Sequence, residues 1–323
     1  MSSSSTGNNV FEMGKYIGLL VRVQAQSTCS LSSASSSTTA AKSVPPPPKP
    51  LLIATPSVKG DFPLLLFLHG YLLNNSFYSQ LILHIASHGF IVIAPQLYNV
   101  AGPDTNEEIK AAAATTDWLS AGLQNVLPAD VRPSLSKLGL AGHSRGGKVA
   151  FALALGHTTT SLKFSALMGI DPVDGMDKGK QTPPPVLTYV PRSFDLDMAV
   201  LVVGSGLGEV KRNPLFPPCA PKGVNHEDFF NECRAPVSYF VVKDYGHVDM
   251  LDDDTKGIKG KATYCLCKNG KAREPMRKFV GGVVVAFMKA YLEGDHSDFM
   301  AIRGGKGKEI AIPVELQTVK FLV

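Results

Sequence analysis

Cysteine and tryptophan are scarce: five Cys and one Trp in 323 residues. An odd, sparse cysteine count in a chain this long is not a disulfide framework. Cys29, Cys219 and Cys233 stand apart, and Cys265-Leu-Cys267 has no second pair at zinc-finger spacing. The expectation is plain thiols, with a disulfide as the alternative. Long apolar runs are missing too. The longest, Phe279 to Met288, falls far short of the roughly 20 residues of a spanning helix. Excess charge is small: 32 Lys and Arg against 27 Asp and Glu give +5. With no RNP, helix-turn-helix or zinc-finger spacing beside it, that balance speaks against a nucleic-acid partner. Thirty Gly and 23 Pro imply many turns but follow no collagen period.

What is present is an ordinary globular balance, 44% apolar and 18% charged, which excludes wholesale disorder. The length suits one large domain or two ordinary ones. The front is different. No Asp precedes Asp61, residues 2–6 and 27–43 are rich in Ser and Thr, and Val44 to Pro50 (VPPPPKP) must be extended. A Ser-rich, acid-poor leader has the composition of a plastid transit peptide. The alternative is a surface loop between two early strands, because Lys15 to Val23 (KYIGLLVRV) reads as a strand. No apolar signal core follows a basic start, which argues against classical secretion. The division expected is a partly disordered segment 1–50 and a catalytic domain 51–323.

Along that domain, apolar runs alternate with helical patterns. Phe62 to Leu68, Phe90 to Ala94, Lys137 to Ala141, Phe164 to Ile170, Ala199 to Val203 and Val237 to Val242 read as buried strands. Between them lie helices over Phe77 to His88, capped from Asn74-Asn75-Ser76, and from a Thr105/Glu108 capping box through Trp118 towards Pro128. Further helices cover Arg145 to Leu155 and Phe279 to Glu293. This alternation predicts an α/β fold, a mostly parallel central sheet with helices on both faces, with ligand loops along one edge.

Gly142-His143-Ser144-Arg145-Gly146 lies between a predicted strand and a predicted helix, the context that a G-x-S-x-G nucleophile elbow requires. The turn is so sharp that only Gly fits two residues to either side of Ser144. The serine then projects at a helix N-terminus, which favours developing negative charge. A hydroxyl needs a base. Of eight His, His247 follows the last core strand in Lys243-Asp244-Tyr245-Gly246-His247, while His226 precedes that strand and opens a helix. The base needs a carboxylate. Asp171 follows the fourth strand, stiffened by Pro172; Glu209, after the fifth, and Asp174 compete with it. The intermediate needs two backbone donors: Arg145 N–H, and one from His69-Gly70-Tyr71-Leu72, at Tyr71 or Leu72. His69 is read as orienting that loop. Asp249 and Asp252 to Asp254 are read as a solvated acidic loop rather than a calcium site. No metal or phosphate-cradling motif is present, so this chemistry needs no cofactor.

These residues, with Asn75-Ser76-Phe77-Tyr78-Ser79-Gln80, Ala94-Pro95-Gln96-Leu97-Tyr98, Gly169-Ile170-Asp171-Pro172-Val173, Pro217-Pro218-Cys219-Ala220-Pro221, Gly223-Val224-Asn225-His226 and Tyr264-Cys265-Leu266-Cys267, resemble the plant chlorophyllases from about Phe11 to Glu315. The resemblance implies an α/β-hydrolase that cleaves the phytyl ester of chlorophyll, and it carries that family's Ser-Asp-His triad onto Ser144, Asp171 and His247. It also implies chlorophyll as the hydrophobic substrate and the chloroplast as the compartment, with cytosol or endomembrane as alternatives. A general lipase or carboxylesterase, and a pigment-binding protein without turnover, are the competing readings.

Three apolar loops would suit a greasy ligand if they wall the pocket: Tyr71 to Leu73, Pro183 to Leu187 and Pro214 to Pro218. Residues 256–278 carry eight Lys and Arg against one Glu. That segment reads first as a solvated face and second as a contact for anionic lipid, a peripheral membrane partner.

Overall fold

Successive residues of a strand point to opposite faces, so the apolar run at Phe62 to Leu68 needs cover on both sides. It gets it. In the computed structural model, which describes residues 9–25, 45–304 and 310–323, Leu64, Leu66 and Leu68 enter one core layer, and Leu65 and Phe67 the other. The strands are β1 (Gly18–Val23), β2 (Leu51–Pro56), β3 (Gly60–Leu68), β4 (Ile91–Pro95), β5 (Val131–His143), β6 (Ala166–Ile170), β7 (Ala199–Ser205), β8 (Val237–Val242) and β9 (Leu316–Leu322). They form one sheet in the order β1-β2-β4-β3-β5-β6-β7-β8-β9. β4, β3 and β5 to β8 run parallel; β1, β2 and β9 pair antiparallel at the margins. The sheet is mixed at its edges and parallel at its centre, as the alternation predicts.

The helices are α1 (Ser79–Ser87), α2 (Asn106–Gly122), α3 (Arg145–Ala154), α4 (His226–Glu232), α5 (Gly257–Cys265), α6 (Glu274–Met288) and α7 (Ser297–Arg303). α1, α6 and α7 supply one core layer, α2, α3 and α4 the other. α6 is the most deeply buried. Two of its glycines form notches: a Cβ on Gly281 would meet the His84 ring at 2.8 Å, and one on Gly282 would meet the Phe11 ring at 2.3 Å. Phe11 fills the second notch, fully buried and stacked on Phe279 with ring centroids 5.9 Å apart. Truncating such a ring to Ala costs roughly 3–5 kcal/mol. The core of the fold therefore begins at Val10, well before residue 51. The Ser/Thr-rich stretch expected to be disordered or to act as a leader lies outside the described residues.

Several local expectations are corrected. β2 and β9 add strands at the margins, and β5 begins at Val131, six residues before Lys137. Thr105 makes no side-chain cap: its hydroxyl donates to the Pro183 carbonyl at 3.1 Å, and Glu108 is turned away to Arg145. Asn74 makes none either. The N-terminus of α1 is capped from far along the chain by Asp252, whose carboxylate accepts from Ser79 N–H at 3.1 Å and Gln80 N–H at 2.9 Å. The acidic segment is thus solvated only in part: Asp253 and Asp254 are exposed, but Asp252 is buried. Asp249 is also buried and accepts from Gly246 N–H at 2.6 Å and Gly270 N–H at 2.7 Å. Cys219 and Cys267 form a disulfide, so plain thiols remain at buried Cys233 and exposed Cys265, while Cys29 is outside the described residues. Among the described residues that line the cavity at Ser144, none comes from Pro183 to Leu187: Val186 and Leu187 pack into the core beside α4.

Candidate active site

β5 ends and α3 begins within one residue. Ser144 between them takes φ 57° and ψ −126°, a conformation that side chains rarely adopt and that persists only when its surroundings impose it. The flanking glycines explain how the turn closes. A Cβ on Gly142 would lie 2.1 Å from the Gly146 carbonyl oxygen, and one on Gly146 2.4 Å from that of Leu68. Ser144 N–H is held by the Ile170 carbonyl at 3.0 Å, and its own carbonyl accepts from Val173 N–H at 3.2 Å. The elbow is thus fastened to the end of β6, where Asp171 stands.

The structure brings Ser144, His247 and Asp171 together. Asp171 Oδ2 lies 2.7 Å from His247 Nδ1, and His247 Nε2 lies 2.8 Å from Ser144 Oγ. A carboxylate only accepts, so Nδ1–H donates to Asp171 and Nε2 is left to accept from the serine hydroxyl. All three are buried, and Ser144 and His247 line the floor of a cavity. Burial opposes the charge on Asp171. The hydrogen bond and charge of His247, then His226 nearby and the Ser205 hydroxyl, overcome that and hold its pKa below the usual 3.8.

The competing residues are engaged elsewhere. His226 opens α4, bonds the Tyr239 hydroxyl at 2.8 Å and lies 3.8 Å from the far oxygen of Asp171. Glu209 accepts from Asn225 Nδ2 at 2.8 Å. Asp174 pairs with Lys148 at 2.7 Å, both wholly buried, and accepts from Val186 and Leu187 N–H. Burial pulls the Lys148 ammonium below its ordinary pKa against the attraction of Asp174.

Sequence reasoning missed a polar chain behind the triad. His143 Nε2–H donates to the His247 carbonyl at 2.7 Å, its Nδ1 accepts from the Tyr78 hydroxyl at 2.7 Å, and that hydroxyl accepts from Gly70 N–H at 3.0 Å. Base loop, elbow and the Gly70–Leu73 loop are joined through His143 and Tyr78, which lie inside the quoted motifs but were given no role there. Burial, then the neighbouring His247, pushes His143 down to about 3, so it stays neutral. His69 orients the same loop: its Nε2 accepts from Leu97 N–H at 3.0 Å, which leaves Nδ1–H to donate to Gly70 O at 2.9 Å. Leu72 has φ 57°, and its N–H lies beside the Tyr98 hydroxyl. Among the described residues, Tyr71 N–H has no such neighbour, and Arg145 N–H heads α3.

The Arg145 side chain turns from the serine. Its guanidinium bonds Glu108 at 2.8–3.1 Å and the carbonyls of Gly102 and Asp104. Above Ser144 opens an apolar cavity of about 490 Å³. Its walls include Leu72 and Leu73, Phe216 to Cys219, Val248 and α5, and the disulfide joins two of these walls. The basic segment is therefore not simply a solvated face. α5 lines the cavity, and Arg273 and Arg277 are buried, donating to the carbonyls of Asp252 and Leu251.

A parallel-centred sheet, a strained serine at a strand-to-helix elbow, and a His and an Asp brought to it from later strand ends define an α/β-hydrolase. The comparisons narrow the class. The chlorophyllase family pattern matches residues 6–323, and the chain belongs to that family. It is 60% identical to Chlorophyllase-2 of Arabidopsis thaliana over 99% of this chain and 100% of that protein. It is 50% identical to Chlorophyllase-1 of the same plant, over 79% of each chain. With the protein named Chlorophyllase-1, chloroplastic, of Citrus unshiu it shares 45% identity over 85% of this chain and 81% of that one.

Proposed function

We propose that the protein hydrolyses the phytyl ester of chlorophyll to chlorophyllide and phytol, with Ser144 as nucleophile, His247 as base and Asp171 as its orienting acid. The observation that carries this is the Asp171–His247–Ser144 hydrogen-bonded chain at the floor of an apolar cavity, in a chain of the chlorophyllase family. Ser144 Oγ attacks the ester carbonyl as its proton passes to His247 Nε2. The oxyanion is held by the N–H groups of Arg145 and Tyr71, each worth about 3 kcal/mol in such sites. The C–O bond to the alcohol breaks, and His247 returns the proton to the leaving oxygen. Water, deprotonated by His247, then attacks the acyl-serine, and Ser144 recovers the proton as chlorophyllide leaves. Asp171 stabilises the imidazolium in both halves.

A pigment dissolved in a membrane must be reached there. Among the described residues, no helix is long and apolar enough to cross a bilayer. Around the cavity mouth, Ile258 is 89% exposed, and Tyr71, Leu72 and Phe216 are also exposed, with Leu215 (85%) beside Phe216. Lys256, Lys259 and Lys261 stand on the same segment. This supports a peripheral contact with anionic lipid, tested by co-flotation with phosphatidylglycerol vesicles; protein left at the bottom of the gradient would reject it. The chloroplast is the compartment favoured by the names of the citrus relatives.

The deciding experiment incubates the protein with detergent-dispersed chlorophyll, beside Ser144→Ala, and partitions the pigment between hexane and aqueous acetone. Green pigment in the aqueous phase from the unmutated protein alone is the expected result. Cleavage of aryl esters without it would leave a general esterase, and bound but intact chlorophyll would leave a pigment-binding protein.

A further inference from the structure

Two hollows, not one, meet at Ser144. The first is the 490 Å³ cavity, whose exposed lining is almost wholly apolar and whose floor includes His247 and Val248. The second is a cleft of about 320 Å³ that also reaches the serine, bordered by Gly102, Arg145, Val173, Thr182 and Pro221. Its lining is nearly half polar, and His247 is not part of it. Tyr71, Met176, Pro218 and Cys219 form the ridge that the two share.

An ester bound at Ser144 has to divide between these hollows, and the chemistry decides how. The leaving oxygen must come within hydrogen-bond reach of His247 Nε2, because that nitrogen returns the proton. The alcohol half therefore lies on the His247 side, and the acyl half on the side without it. We infer that the apolar cavity takes the hydrocarbon chain of the alcohol and that the Arg145 cleft takes the acyl group. This assignment rests on the ester-hydrolase reading above and goes further, since it says which half of the substrate each hollow recognises.

Each hollow suits its half. The cavity lies within the size range of enclosed ligand sites, and α5 and the Phe216 loop give it the apolar walls that a flexible chain needs. The cleft is smaller and more polar. A flat tetrapyrrole laid there would rest only its ester-bearing edge over Tyr71, a residue 51% exposed whose ring is backed by the Arg145 guanidinium 5.5 Å away. The Arg145 charge is already matched by Glu108 at 2.8 Å, so the cleft offers an acyl group a polar but electrically balanced floor.

The test compares two esters of one pigment acid, chlorophyllide phytyl ester and chlorophyllide methyl ester, by kcat/KM. Ala262 faces the cavity from α5; Gly102 borders the cleft, and a Cβ there meets nothing nearer than 3.6 Å. Ala262→Phe should lower the phytyl-to-methyl ratio at least tenfold. Gly102→Trp should raise KM for both esters by a common factor and leave the ratio where it was. If Ala262→Phe depresses both esters equally, or Gly102→Trp is the variant that moves the ratio, the assignment is reversed and the inference falls. Release of p-nitrophenol from p-nitrophenyl acetate reports whether each variant still has a folded active site; should Ala262→Phe fail it, Ala262→Leu replaces it with the same reading. Unmutated protein that cleaves the acetate but neither pigment ester would sink the functional reading itself. A cleaving enzyme with an unmoved ratio would sink only the placement.

Discussion

The elbow and the α5 wall face each other across the same cavity, and they are built in opposite ways. Around Ser144 the backbone itself does the holding: glycines where a Cβ would come within 2.1–2.4 Å of a carbonyl oxygen, carbonyls that fasten the turn to β6, and neutral buried imidazoles. The α5 wall is short and half exposed, and a disulfide and two buried arginines bring its flanks to the body. A reaction needs atoms fixed within fractions of an ångström, whereas a pocket for a flexible chain needs only apolar area. The difference teaches that the protein separates the part that must be rigid from the part that must be greasy.

Variants can break that separation. The largest effect belongs to the rigid side. Asp171→Asn keeps the shape but presents an N–H where His247 needs an acceptor, and kcat should fall roughly 10⁴-fold on pigment and aryl esters alike. A loss confined to pigment esters would mean that Asp171 shapes the pocket instead.

Acid comes next. His143 and His69 are pushed by burial to about 3 and about 4, and His84 beneath α6 to about 4. An imidazole held neutral in the folded state, but titrating near 6.5 when unfolded, supports the fold above that value and withdraws its support as pH falls towards the folded value. Asp171, whose pKa is lowered, adds to the loss only below 3.8. Each such histidine contributes a slope of roughly 1.4 kcal/mol per pH unit between about pH 6 and 4. Thermal melts across that window should show Tm falling steadily; a flat Tm would mean that these rings charge without cost.

Tyr78→Phe is a smaller test of the same side. It strands Gly70 N–H and His143 Nδ1, and should lower kcat about tenfold, the scale of one hydrogen bond, with KM little changed and rescue by none of the ester lengths. A change in KM alone would place Tyr78 in binding. The smallest effect belongs to the wall. Leu215→Ser with Ile258→Ser should slow hydrolysis of vesicle-dispersed chlorophyll a few-fold while p-nitrophenyl acetate is cleaved as before. Equal slowing of both would show that this rim supports the active site rather than meeting lipid.

The same contrast governs what the sequence made legible. The elbow is local: strand, pentapeptide and helix lie within about twenty consecutive residues, so Ser144 and the element types around it were readable. The six central strands were readable because parallel strands buried on both faces are continuous apolar runs. β2 and β9 were not seen. β2 follows the proline run, and β9 is a half-exposed edge strand with a mixed pattern. Asp171 was favoured over Glu209 because it stands at a strand end stiffened by Pro172, and its carboxylate lies 2.7 Å from His247 Nδ1 whereas Glu209 accepts from Asn225. Ser205 and the Asp252 cap carry no motif, and the segment that holds Tyr78 does not announce its bonds to His143 and Gly70. They matter through partners 8 to 173 residues away, and only the folded chain supplies those distances.

Phe11 carries one more consequence. Its ring occupies a notch that Gly282 leaves open on α6, and Val10 is buried beside it. A processing protease that cut beyond residue 11 would release the ring with the discarded piece and leave an empty slot against the most buried helix. Any trimming of the front past residue 11 would thus act on the stability of the fold and not only on its length.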